Sequence, residues 1–476
     1  MNNVLLNTVI PHYHTVSRIQ QETGAKIFLV GGALRDFVLK RKTRDFDFIV
    51  FEKPEDVSRR FADATGGTLV VLDESERIYR VVFEGYEYDF SLPKGPDLFS
   101  DAEKRDFTIN TLMADISRLD SPLLDFCGAL DDLSNRVIRA PSETTFAEDP
   151  LRLLRAFRFY SELFLLNFRI DDETIRKISL EKPRIETVSR ERIRDEFVKL
   201  FCAKASYDSI KLMDSIGLLT IIVPVVETMR GITQNQYHTE DVWGHSLLTL
   251  KYIESILEEL PIFMNSHPRV MKRYFEKKYA GGWTTSSLLK FVALFHDLGK
   301  PKTRYVREGG DSTFYGHENH GAILFENVAR DMLVGKRGVR FGSMLIKNHM
   351  RLLSLATSDT LTTRALARLI RDVGEHIPSL LLLGIADTHA GHADKRRIDS
   401  SFKLASDIYS FYQDVIGDKL KMRPLLSGTE IMEATNIGEG ALVGRLKSDL
   451  LDAQISGEIK TKEEAKCFIK KTIKTM

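Results

Sequence analysis

The stretch FLVGGALRDFVLKRKTRDFDFIV, residues 28–50, constrains the fold more than any other part of the chain. KIFLV (26–30) reads as a strand, adjacent Gly31 and Gly32 as a turn, residues 33–40 as a helix, KRKTR as a basic turn, and DFDFIV (45–50) as a second strand. Strand residues two apart face the same side, so Asp45 and Asp47 project together while Phe46 and Phe48 turn the other way. Carboxylates held that close repel one another unless a divalent cation lies between them. For D-x-D alone, a half-exposed strand with its acids in water is the plain alternative. The glycines shift the balance, because a turn without Cβ atoms lets backbone N–H groups approach phosphate at a helix start. A dinucleotide site would instead need G-x-G-x-x-G and an acid about twenty residues later, and this pattern is absent. The unit predicts a nucleoside triphosphate held with Mg²⁺, and Asp89 in YEYDFSL (86–92) is the natural third acid.

Further runs extend the same α/β pattern to about residue 140: GTLVVL (67–72), YRVVF (79–83) and YEYDFSL as strands, and EDVSRRFADAT as a helix. From about 142 the spacing turns helical, in DPLRLLRAFRFYSELF and ERIRDEFVKLF. The loop IIVPVVETMRGITQNQYHTED breaks the helices near 225, and a histidine-rich helical block runs to about 400. A tail of mixed helix, with a turn at KLKMRPLLSGTE, carries no site signature. At 476 residues the chain exceeds one ordinary core. The expected class is α+β multidomain, divided as 1–140, 141–225, 226–400 and 401–476.

A formal net charge of +1 offers no global field, so a nucleic-acid partner must be met by local basic patches. Cys127, Cys202 and Cys467 lack metal-type spacing and indicate a reducing compartment without disulfides. No long uncharged apolar run and no leader pattern occurs, so a cytoplasmic protein with no membrane partner is expected.

Several motifs in order resemble the class II tRNA nucleotidyltransferase and bacterial poly(A) polymerase family, a branch of the polymerase β superfamily. GGALRDFVLKRKTRDFDF resembles its catalytic motif, RDFTINTLMAD (105–115) the second, DFCGALDDLSNRVIRA (125–140) the third, EDPLRLLRAFRF (148–159) the nucleotide-recognition motif, and ERIRDEFVKLF (191–201) the fifth. The resemblance implies a polymerase β-like head over 1–140 and a helical neck over 141–225. It implies that Asp45, Asp47 and Asp89 are catalytic, and that Gly31, Gly32 and Arg35 serve the triphosphate. Arg105, Asp106 and Asn110 would lie around the sugar and phosphates, with Phe107 and Ile109 in the core. Asp149, a good N-cap before Pro150, would with Arg152 read the base: a carboxylate accepts from an exocyclic amine and a guanidinium donates to ring acceptors, which suits cytosine and adenine. Arg155 and Arg158 would contact triphosphate or tRNA, or else be solvated basic residues.

The helical block holds a second constellation. His296 and Asp297 lie inside the apolar run SLLKFVALFHDLGKP (287–301), where a charged pair is costly unless compensated, and a bound metal is the simplest compensation. With His245 and Asp387 the pair resembles the H…HD…D signature of HD-domain metal phosphohydrolases, and His317 and His349 match the extra histidines of binuclear members; His320 has no such counterpart. The resemblance implies one or two divalent ions, a transition metal or Mg²⁺, over 226–400, and hydrolysis of phosphate esters such as 2′,3′-cyclic or 2′-phosphate RNA ends.

The reading that follows is a template-independent transferase of CMP and/or AMP from CTP or ATP to the 3′ end of tRNA. The alternatives are a poly(A) polymerase on another RNA primer, a phosphohydrolase whose head only binds nucleotide, and a noncatalytic RNA-binding protein. The connector PKGPDLFSDAE (93–103) is short where enzymes adding full CCA often carry a longer charged loop. It leaves CC addition and A addition open beside CCA.

Overall fold

The computed structural model describes residues 3–234, 240–265, 268–308, 312–356, 362–391, 395–415 and 422–474. Parts of the loop before 241 and of the turn at 419–430 lie outside that set. The chain divides into two compact units, Met1–Ile222 and Val223–Met476. The expected divisions at 140 and 400 fall inside these units, the second within a continuous helix, Lys395–Val415.

The first unit is built on a mixed six-stranded sheet of β1 (Ile27–Val30), β2 (Asp45–Val50), β3 (Thr68–Asp73), β4 (Ile78–Phe83), β5 (Tyr86–Ser91) and β6 (Met113–Asp115). The order is β3-β4-β5-β2-β1-β6, with β2 parallel to β5 and every other pair antiparallel. Helices α1 (Tyr13–Thr23) and α3 (Pro54–Thr65) pack together, and α3 lies on β4 and β5. That side of the sheet is aromatic: Phe46 stacks on Tyr88 at 5.3 Å, Phe48 on Phe90 at 5.1 Å, and Phe61 of α3 meets Tyr88 at 4.8 Å. The strand alternation therefore works as the pattern D-F-D-F demands, burying the rings and turning Asp45 and Asp47 to the other face.

Helix α2 (Gly32–Val38) follows β1 directly. The unit ends in helices, α4 (Arg152–Leu163), α5 (Arg190–Cys202) and α6 (Ser206–Ser215), with α5 and α6 packed on α4. The connector after β5 is itself folded: Leu98–Glu103 is a short helix capped by Asp97, whose carboxylate accepts from the Ser100 N–H.

The second unit is helical: α7 (Val242–Glu258), α8 (Thr285–Phe295), α9 (His317–Asp331), α10 (Gly335–Asn348), α11 (Thr363–Val373), α12 (Ile377–Gly391), α13 (Lys395–Val415), α14 (Gly428–Thr435), α15 (Ala441–Ile455) and α16 (Lys462–Lys474). Helix α8 opens with a capping box between Thr284 and Ser287 and then buries every residue from Ser287 to Phe295. A helix apolar on all sides must be surrounded, and α7, α10 and α12 surround it. Helices α14–α16 have a core of their own around Leu446, Leu450 and Ile469. They are tied to α11 by Arg368 and Arg371, both paired with the buried Asp452. No helix among the described residues is long and apolar enough to cross a membrane, and the three cysteines are free.

Candidate active site and metal centre

The parallel pairing of β2 with β5 sets Asp45 opposite Glu87 and Asp47 opposite Asp89. All four acids stand on the face away from the aromatic core. Solvent reaches Asp47 from this face, yet its carboxylate is crowded by protein, and the burial, with Asp89 and then Asp45 adding their charge against the pull of Arg105, pushes its pKa up to about 6. Asp89 is held by Arg80 of β4, which donates from Nε and Nη2 at 2.7 and 2.8 Å.

Gly31 shows why the turn needs glycine. Its φ is 77°, and a Cβ there would stand 3.2 Å from Arg105 Nη1 and 3.4 Å from Asp47 Oδ2. The turn thus brings Asp47, Arg105 and Asn110 to one corner. From it a connected network runs inward: Arg35 donates to Asn110 Oδ1 at 2.8 Å, Asn110 Nδ2 to Asp106 Oδ1 at 2.9 Å, and Arg155 Nη2 pairs with Asp106 Oδ2 at 2.7 Å. Burial opposes charge on Asp106, but Arg155, the Asn110 hydrogen bond and Arg158 outweigh it and hold its pKa down to about 2. Arg105 donates from Nε to the buried Asp101 at 2.8 Å, so the folded connector fixes this arginine. Phe107 and Ile109 are fully buried.

Asp149 and Arg152 meet through the backbone, where the Arg152 N–H donates to the Asp149 carbonyl at 3.0 Å, while their side chains turn to different partners. The regular helix begins at Arg152, preceded by a turn in which Asp149 Oδ1 accepts from the Leu151 N–H at 3.2 Å, a capping role with Pro150 following. Both Asp149 oxygens lie 3.1 Å from Arg192 Nη2 of α5. Arg152 is buried, donating to the carbonyls of Thr145 at 3.0 Å and Lys104 at 2.5 Å. Arg158 acts on Asp106 by its charge alone; its guanidinium is paired with Glu196 at 2.7 Å and Glu162 at 3.0 Å and stacked over Phe159.

In the second unit, six expected residues converge. His245 comes from α7, His296 and Asp297 from the end of α8, His317 from the start of α9, His349 from the end of α10, and Asp387 from α12. Gly299 makes the approach possible: a Cβ there would fall 2.0 Å from the His317 carbonyl. His245 Nε2 lies 2.9 Å from Asp387 Oδ1. Asp297 stands between two groups, Oδ2 3.3 Å from His296 Nε2 and 3.5 Å from His245 Nε2, Oδ1 3.3 Å from His317 Nε2 and 3.7 Å from His349 Nε2. His320 faces solvent.

Three of the histidines are oriented alike. The Nδ1 atoms of His296, His317 and His349 each bond the carbonyl three residues earlier, at 2.8, 2.8 and 2.6 Å. A carbonyl accepts only, so Nδ1 carries hydrogen and the Nε2 atoms point inward, as metal-ligating rings do. His317 Nε2 and His349 Nε2 then face each other at 3.2 Å. Two such lone pairs repel unless a proton or a cation stands between them, so the donor set fits divalent metal. Burial opposes charge on His296, but Asp297 and Asp387 push its pKa up to about 10. Burial alone would raise Asp297 and Asp387; the histidines, with Lys300 acting on Asp297, hold both well below the usual carboxylate range. Burial moves His349 downward.

Sequence reasoning passed over Glu87, Arg80, Asp101, Arg192 and Lys300, whose Nζ lies 2.6 Å from Asp297 Oδ2. Glu87 had a visible signal, because E-Y-D repeats the D-F-D alternation. Asp101 and Lys300 had a local one too, four residues before Arg105 and three after Asp297, whereas the partners of Arg80 and Arg192 are fixed by sheet register and by helix packing.

Comparison with known proteins agrees with this layout. The family described as "Poly A polymerase head domain" matches residues 27–139, "Probable RNA and SrmB- binding site of polymerase A" matches 167–229, and "HD domain" matches 242–387. The A-adding tRNA nucleotidyltransferase of Deinococcus radiodurans is 29% identical over 93% of this chain and 94% of its own length. The chain belongs to the class II tRNA nucleotidyltransferase and poly(A) polymerase family. Within that family the CC-adding tRNA nucleotidyltransferase of Thermus thermophilus is also 29% identical, over 93% of this chain and 92% of its own. The Thermotoga maritima CCA-adding enzyme, solved with tRNA, shares the fold with a TM-score of 0.60 at 17% identity, over 99% of this chain and 100% of that one. For a family member of this build, nucleotide substrates and divalent metals are the expected ligands.

Proposed function

We propose that this chain is an RNA nucleotidyltransferase that adds CMP, AMP or both to the 3′ end of tRNA, with Mg²⁺ at the head. The observation that carries the reading is the corner where Gly31, Asp47, Arg105 and Asn110 meet beside the paired acids of β2. Asp45 and Asp47 would hold the divalent ions, whose chemistry is to acidify the attacking 3′-hydroxyl and stabilise the leaving oxygens as pyrophosphate departs from the α-phosphorus. Gly31 and Gly32 keep the corner clear of side-chain bulk. Arg35, Arg105 and Arg155 place positive charge against the triphosphate, while Asp101 holds Arg105, and Asp106 and Asn110 hold Arg155 and Arg35 and border the sugar.

Asp149 and Arg152 would choose the base. Arg152 is fixed by two carbonyls and Asp149 by Arg192, so acceptor and donor are set before the nucleotide arrives. Cytosine and adenine offer an amino group to Asp149; uracil and guanine would leave it facing a carbonyl. Arg158 supports this helix through its ion pairs. The short folded connector, together with relatives that are A-adding and CC-adding, supports one partial reaction of CCA synthesis. The test supplies CTP and ATP separately to tRNAs ending at the discriminator base, at C and at CC, and to oligo(A). Extension of tRNA by defined residues is expected, long ATP-dependent tails would assign a poly(A) polymerase, and no extension would sink both.

A second activity is favoured by the facing nitrogens of His317 and His349. His245, His296, Asp297 and Asp387 would hold one divalent ion and Asp297, His317 and His349 another, imidazole-rich sets that suit a transition metal. The chemistry is hydrolysis of a phosphate ester, such as a 2′,3′-cyclic end, and its test is metal-dependent release of the monoester.

A further inference from the structure

The sheet register sets four acids in a block, Asp45 opposite Glu87 and Asp47 opposite Asp89, and Arg80 lies opposite Asp89 on the next strand. Like charges directly across a strand pair destabilise it, so the bare block repels itself. Among the described residues one cation forms ion pairs with the block. Arg80 grips both oxygens of Asp89 through Nε and Nη2, and its Nη1 pairs with Glu87. The fork geometry is the strong, planar form of carboxylate recognition, which a lysine does not reproduce. No ion pair reaches Asp45 or Asp47 among the described residues.

We propose that Arg80 is a positioning residue that partitions this block. It neutralises the β5 acids, Glu87 and Asp89, and leaves the β2 acids, Asp45 and Asp47, as the column open to a divalent ion, next to the Gly31 turn. The inference rests on the reading of Asp45 and Asp47 as divalent-ion ligands. It removes Asp89 from the ligand set and gives that acid a different task, holding the arginine in place. Without Arg80 the four carboxylates become a deeper trap, binding a cation more tightly and drawing it toward Asp89, away from the turn. An ion that must enter with triphosphate and leave with pyrophosphate is served by the shallower site. An arginine that merely braces the sheet makes the opposite forecast, since its loss would loosen the strands and weaken metal binding.

The experiment counts bound Mn²⁺ by electron paramagnetic resonance in the full chain carrying H296A and D297A, so that the second unit's centre does not contribute. In that background R80Q should tighten Mn²⁺ binding about threefold or more, while kcat for nucleotide addition falls. R80K should lie between R80Q and the parent. Adding D89N to R80Q should return the affinity toward the parent value. Unchanged or weaker Mn²⁺ binding in folded R80Q overturns the proposal. Where R80Q does not fold, D89N alone decides: binding within about threefold of the parent supports the partition, and a larger loss returns Asp89 to the ligands and overturns it. D45N with D47N is the separate control on the underlying reading, because Mn²⁺ binding that survives both substitutions removes the ligand assignment itself, whatever Arg80 does.

Discussion

The two metal-type sites are built on opposite principles. The head sets its acids on an open sheet face, where Asp45 and Asp47 meet solvent and repel one another. The second unit encloses its candidate ligands: His245, His296, Asp297 and His349 are all at most 1% exposed. Three of its rings are locked by the carbonyl three residues before them. The difference teaches what each site is for. An open, self-repelling pair suits an ion that comes and goes with its substrate, whereas a buried, pre-oriented set suits an ion retained between turnovers.

The comparison breaks first if the sites are not independent. Asp47→Asn should lower nucleotide addition about a thousandfold or more and leave phosphoester hydrolysis unchanged, as separate assays on one preparation would show. The converse, His296→Ala with Asp297→Ala, should abolish hydrolysis and preserve nucleotide addition in a folded protein. Loss of nucleotide addition there would overturn the division into two sites.

Retention of metal sharpens the contrast. After brief chelation and desalting, metal analysis should find the head empty and one or two ions still in the second unit. Prolonged chelation should remove these as well, and lower the melting temperature read by tryptophan fluorescence. Both tryptophans, Trp243 and Trp283, lie in the second unit, so this signal reports on it alone.

A smaller effect concerns the backbone at the turn. Gly31→Ala forces a Cβ into a positive-φ position against Arg105 and Asp47, at a cost of about 1–3 kcal/mol, measurable by denaturant unfolding, with the Michaelis constant for the triphosphate rising.

The smallest prediction separates the units by acid. Burial first of all holds His376 down to about 4, so the stability it contributes is complete above about 6.5 and lost as pH falls from there through 4. Asp106, held down to about 2, contributes stability present above about 4 and lost as pH falls toward 2. In metal-free protein the tryptophan signal should therefore weaken at higher pH than the circular dichroism of the head, and His376→Phe should flatten the tryptophan profile between 6.5 and 4. A profile unchanged by that substitution would count against the assignment.

Much of this was legible because local chemistry and periodicity coincide. The strands expected at 26–30, 45–50, 67–72, 79–83 and 86–92 stand within a residue or so of the observed ones, since alternation of rings and acids permits one arrangement. The connector at 93–103 was less legible: its short helix depends on the Asp97 cap and on Asp101 being buried against Arg105, neither of which periodicity reveals. Pairing of side chains was the least legible. Asp149 reads locally as an N-cap, and nothing in its motif shows that packing of α5 on α4 pairs its carboxylate with Arg192.

By itself the sequence determined the chemistry available: glycines at a strand-to-helix turn, acids two apart on a strand, histidines and aspartates in an apolar helical block. These are properties of residue type and short-range period, and they survive without knowledge of the fold. Tertiary structure alone decided which acids stand opposite one another, that an arginine on a third strand grips Asp89, and that one aspartate, Asp297, lies between two groups of histidines. Such facts depend on strand register and on close helix approach, and these follow from packing the whole core, which no local stretch encodes.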